Sequence, residues 1–133
     1  MRNRLLRGLA LALPLAIGLA AAATASAGVP WWAHWWRGTK LPVAHCSSTA
    51  ASAVQSVTGT APEKLTLDAN TRLIRGFTTD AGIIVHCSAG TSTVCGKPAA
   101  DLSITVFSNA NNATSIRDQI NTKFGNPQLI DCN

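Results

Sequence analysis

Tyrosine is absent, methionine occurs only as Met1, and acids number six in 133 residues. Those acids are Glu63, Asp68, Asp80, Asp101, Asp118 and Asp131, and no two have helical spacing for acid–base work. Zinc-type C-x-x-C and H-x₃-H spacings are missing, as are the G-x-S-x-G elbow and a glycine-rich nucleotide loop. A resident metal or cofactor is therefore not expected. No internal repeat or low-complexity tract is present, and no second hydrophobic run is long enough to span a bilayer.

What is present begins with a leader. Arg2, Arg4 and Arg7 form a positive start, Leu9 to Ala23 an apolar stretch interrupted by Pro14, and Ala25-Ser26-Ala27 a small-x-small cleavage pattern. The expectation is a signal peptide over 1–27, cleaved after Ala27. The protein would then be exported, to a bacterial periplasm or the extracellular space. Of the 11 basic residues, eight remain beyond position 27 against the six acids. That near balance excludes a strongly basic nucleic-acid binder, so no nucleic-acid partner is expected.

All four cysteines, Cys46, Cys87, Cys95 and Cys132, lie beyond the leader. An even count in a short exported domain favours two disulfides. Four cysteines allow three pairings. The expected one joins Cys87 to Cys95 locally and Cys46 to Cys132 over a long loop.

The segment 28–42 reads as a Trp-rich N-terminal arm, and 43–133 as one domain. Within it, 47–57 reads as a helix with Cys46, Ala50, Ala53, Val54 and Val57 on one face, closed by Gly59. Strands are expected at 71–78, 83–87 and 102–108, with a possible short one at 65–67 and a Gly/Ser/Thr/Pro loop at 88–101. In the last strand Leu102, Ile104 and Val106 alternate with Ser103, Thr105 and Phe107. A second helix follows, capped by Asn111 or Asn112, with Ala113, Ile116, Ile120 and Phe124 as its stripe. A short strand at 129–131 ends the chain. The class is α+β: a small two-layer sandwich, two helices on a mainly antiparallel sheet, order α-β-β-β-α-β, stabilised by disulfides.

Ile84-Val85-His86-Cys87-Ser88-Ala89-Gly90 resembles the phosphate-binding loop of the protein tyrosine phosphatases. The resemblance implies a nucleophilic thiolate at Cys87 followed by a helix. It ends at Ser92 and Thr93, where that family has glycine and the phosphate-clamping arginine. A thiol-dependent enzyme at Cys87 is thus the third functional alternative.

The most unusual stretch is Trp31-Trp32-Ala33-His34-Trp35-Trp36-Arg37, which holds every tryptophan of the chain. At about 100° per residue the four indoles share one helical face, so a short helix is expected. Trp31, Trp32, Trp35, Trp36 and Arg37 are the candidate binding residues. Three surfaces are open to them: their own domain, a membrane interface, or a protein or glycan partner. In composition the stretch resembles the tryptophan-rich membrane-active segment of the puroindolines. The expected function is a non-catalytic binding or interaction protein, with membrane-surface association as the alternative.

Overall fold

A computed structural model describes residues 30–125. Five strands and two helices follow in the order β1 (Trp31–Pro42), α1 (Val43–Thr58), β2 (Glu63–Asp68), β3 (Thr71–Phe77), β4 (Ala81–Val94), β5 (Lys97–Ser108) and α2 (Ala113–Lys123). All neighbours in the sheet are antiparallel, in the order β1-β5-β4-β3-β2. Both helices pack on one face of this sheet, α1 mainly over β3 and β4 and α2 over β5 and β1. The α+β two-layer class therefore holds.

Its element order differs from the expected one at the start, where a strand precedes the first helix, and in the length of the strands that follow. The expected helical arm is strand β1, paired with β5 from Trp31↔Ser108 to Gly38↔Asp101. Indole is a strong strand former, and an extended chain gains a full ladder of hydrogen bonds that a two-turn helix lacks. The possible strand at 65–67 is the full edge strand β2. The expected loop at 88–101 is instead the tip of a long hairpin. β4 continues to Val94, β5 begins at Lys97, and the two-residue turn between them has positive φ at Cys95 (51°) and Gly96 (71°). That is the type I′ geometry that matches strand twist, and Gly96 suits its second position. The strand expected at 129–131 lies outside the described residues.

Strand alternation sets the core. Leu102, Ile104 and Val106 of β5 and Ile83, Val85 and Cys87 of β4 are buried beneath the helices. Against them α1 places Cys46, Ala50, Ala53 and Val54, the small-residue face expected for it. The helix approaches so closely that a Cβ at Gly76 of β3 would land on the Val54 side chain. At its end Gly59 takes φ 72° and returns its N–H to the Gln55 carbonyl, as the sequence led one to expect. The second helix runs from Ala113 and buries Ala113, Ile116 and Ile120. Asn112 sits at its N-cap position without capping it; its side-chain carbonyl instead accepts from the Ser108 hydroxyl.

The expected disulfide pairing is corrected. Cys46 bonds Cys87, with a Cα–Cα distance of 6.0 Å. Both are fully buried where the first turn of α1 crosses β4. Cys87 and Cys95 lie eight residues apart along one extended strand, on the order of 25 Å, too far for any bridge. Cys95 is also disulfide-bonded. Cys132 lies outside the described residues. A bridged pair of this kind is compatible with an exported protein.

The bridge closes 41 residues of chain between the first helix and a central strand. The loop-entropy relation gives it about 4 kcal/mol. Replacing both cysteines (Cys46→Ala with Cys87→Ala) is expected to lower unfolding free energy by about 2–5 kcal/mol in a urea titration. Non-reducing peptide mapping of the native protein should recover these two residues in one linked fragment. A map joining Cys87 to Cys95 would contradict the fold.

Candidate interaction surface

β1 is an edge strand, so its side chains divide between the two faces of the sheet. Trp31, Ala33, Trp35 and Arg37 lie on the helix side. Ala33 is 5% exposed and part of the core. The indole of Trp35 lies beneath the Arg117 guanidinium of α2, 5.8 Å from the ring centroid. Arg37 donates from Nη2 to the Gly125 carbonyl at 2.9 Å, where the chain leaves α2. Trp32, His34 and Trp36 lie on the open side, where the His34 ring meets the Thr105 hydroxyl at 3.0 Å. Aromatic surface therefore appears on both faces of one strand.

All four indoles remain exposed, from 44% at Trp35 to 67% at Trp32. Their cost in exposed apolar area has no counterpart elsewhere in the described residues. The remaining large exposed apolar side chains among the described residues are Leu67, Phe77 and Phe107.

The open face extends this surface across the sheet. Trp32 stands opposite Phe107, Phe107 opposite Gly82, and Gly82 opposite Phe77. Phe77 leans over the glycine, its ring 3.7 Å from where a Cβ at Gly82 would sit. The next row holds His34, Thr105, Ile84, Arg75 and Glu63 in register. Arg75 and Glu63 form an exposed ion pair with Nε–Oε2 at 3.0 Å, which contributes little to stability. The face is flat and aromatic toward β1 and more polar toward β2.

The two sheet edges differ in the same sense. β2 is six residues long and carries Glu63, Lys64 and Asp68. Asp68 is further tied into the β2–β3 turn, where the Asn70 N–H and the Thr71 side chain hold its carboxyl below the usual range. Short, charged edges resist the addition of another strand. β1 is 12 residues long and has no charge before Arg37. Its backbone pairs with β5 alone among the described strands.

The phosphatase-like residues have no such geometry. Ser88, Ala89 and Gly90 continue β4 as strand, with no loop and no helix after them. Cys87 is buried and bonded to Cys46, so it offers no thiolate. His86 projects to the face opposite Cys87, as alternation requires. Among the described residues no three His, Cys, Asp or Glu side chains gather as metal ligands.

A cavity of about 270 Å³ opens at the start of α1, lined in part by His45, Arg72 and Lys97. The Arg72 guanidinium is already engaged there by the Asp68 and Thr71 carbonyls. No helix among the described residues is long and apolar enough to cross a membrane.

The five candidate residues, Trp31, Trp32, Trp35, Trp36 and Arg37, all lie on β1, divided between its two faces. Sequence reasoning missed Phe107, opposite Trp32, and Arg117, over Trp35, as their neighbours. Phe107 was legible: strand alternation already set it on the face opposite Leu102, Ile104 and Val106. Because every tryptophan lies on β1, indole emission reports on this edge alone. The emission maximum is expected near that of indole in water, with efficient acrylamide quenching of all four rings. Strongly blue-shifted, quencher-resistant emission would show the edge to be covered.

The chain matches no protein-family model, no curated protein and no solved structure.

Proposed function

We propose that this is an exported, non-catalytic interaction protein whose contact site is the β1 edge, and that it binds a protein partner by accepting an extended strand there. One observation carries the reading: indoles line both faces of an edge strand that, among the described residues, is paired on one side only. A bilayer or a sugar chain lies against one face of a sheet. A strand added beside β1 meets Trp31 and Trp35 on one face and Trp32 and Trp36 on the other, while its backbone pairs with the free edge. Tryptophan is also the residue that most often anchors protein contacts. Export is supported by the leader pattern and by the buried disulfide.

Membrane-surface association is the alternative, favoured by the flat group of Trp32, Trp36 and Phe107, with Lys40 further along the same strand. A glycan would use the same open face.

Two paired variants separate these readings: Trp31→Ala with Trp35→Ala, and Trp32→Ala with Trp36→Ala. The probes are peptides selected from a random displayed library, phosphatidylglycerol vesicles and an insoluble β-glucan. The expected result is selection of extended, alternating apolar peptides, with each paired variant weakening them by about tenfold or more. Binding to vesicles or glucan that depends only on Trp32 and Trp36, without peptide binding, would contradict the proposal.

A further inference from the structure

We infer that the strand which β1 accepts is the β1 of a second copy of this chain, in an antiparallel pair centred on His34. The inference rests on the reading of β1 as a strand-accepting edge and names its occupant. The observation behind it is the spacing of Trp31-Trp32-Ala33-His34-Trp35-Trp36-Arg37, in which Trp32 and Trp36 lie equidistant from His34, and Trp31 is as far from it as Arg37.

A two-fold axis normal to the sheet joins two identical edges antiparallel and keeps both helix layers on one side. It must pass through a residue that faces its own copy, and the other pairs follow by counting outward. With His34 at the centre, Trp32 stands opposite Trp36 of the second copy, and Trp36 opposite its Trp32. Both aromatic pairs lie on the open face, where directly opposed aromatic side chains are favourable cross-strand neighbours. On the helix side Trp31 stands opposite Arg37 of the second copy, a cation beside an indole. Trp35 stands opposite Ala33, whose small side chain leaves room for the larger one. No like charges are opposed.

Neighbouring registers lose this match. Centring on Ala33 pairs Trp31 with Trp35 twice, but sets Trp36 against Pro30 and Trp32 against His34 and leaves Arg37 opposite no indole. Centring on Trp35 sets Trp31 against Thr39, Trp32 against Gly38 and Arg37 against Ala33. Only the His34 register pairs indole with indole twice and indole with guanidinium twice.

The available area fits a reversible dimer. An indole side chain buries roughly 150–250 Å² when fully covered. With the four rings about half exposed, on the order of 400 Å² of indole per copy can be covered. Adding the backbone edge places the total near the lower bound of specific interfaces, about 1,200 Å². One donor already reaches this edge, Arg117 Nη1 to the His34 carbonyl at 3.4 Å, a long bond that an incoming N–H would replace. The opposite edge, β2, is short and charged, so association stops at two copies.

The test is analytical ultracentrifugation of the exported, purified protein from micromolar to millimolar concentration. Far-ultraviolet circular dichroism is read in parallel for the exciton couplet of stacked indoles. The expected result is a monomer–dimer equilibrium in the micromolar range, with a couplet that grows with the dimer fraction. Trp36→Lys, and separately Arg37→Gln, should weaken the dimer at least tenfold, whereas Phe77→Lys on the same open face should leave it unchanged. Trp36→Ala replaces Trp36→Lys if the lysine variant loses its cooperative melt.

A monomer at every concentration that still binds selected peptides overturns the second-copy inference and leaves the strand-accepting edge standing. A monomer that binds no peptide overturns both. A dimer indifferent to Trp36→Lys, or broken by Phe77→Lys, uses another surface and overturns the inference.

Discussion

β1 is hydrogen-bonded along one side, and the distinctive features of this protein follow from that asymmetry. Pairing with β5 makes the tryptophan segment part of the sheet, so its side chains must alternate between faces. Alternation sends Ala33 into the core and holds Trp35 beneath Arg117, while Trp32 and Trp36 stand on the open side. The same pairing leaves a second row of backbone donors and acceptors with no strand beside it among the described residues. Exposed polar backbone framed by exposed indole is a surface suited to another strand and poorly suited to water.

The rest of the fold holds that edge in place. The Cys46–Cys87 bridge fixes α1 to the middle of the sheet, and α1 starts directly after β1 ends at Pro42. The far end of α2 is joined to β1 through Arg37 and the Gly125 carbonyl. Both helices thus anchor the C-terminal half of the same strand. The cysteine that resembles a phosphatase nucleophile serves this scaffold: its sulfur is consumed by the bridge, and its strand continues where a phosphate loop would have to turn.

Much of the scaffold was legible in the sequence. The alternation of Leu102, Ile104 and Val106, the small-residue face of α1 and the glycine that ends it all specify burial by spacing alone, and each stands as expected. The errors have a common physical origin. The doublets Trp31-Trp32 and Trp35-Trp36 satisfy a helical face and also a two-sided strand, and local periodicity cannot separate them. What decides is the ladder to β5, some 70 residues away in sequence. The Gly, Ser and Thr residues of 88–94 read as loop by composition, yet they continue β4, with Ser88, Ala89, Thr93 and Val94 paired to β5 on either side of an irregularity at 90–92. The disulfide pairing has the same character, since the approach of Cys46 to Cys87 depends on where α1 crosses the sheet. The run of candidate residues was visible, but its division between the two faces of an edge strand was not.

Amide hydrogen exchange across Trp31–Arg37, followed residue by residue by nuclear magnetic resonance in dilute protein, tests the central claim most directly. An edge strand paired on one side protects every second amide and leaves the alternate ones open to water. The account predicts that two-residue pattern, with the fast set becoming protected when a strand is added. Uniform protection, or uniformly fast exchange, would contradict an edge strand with a free side.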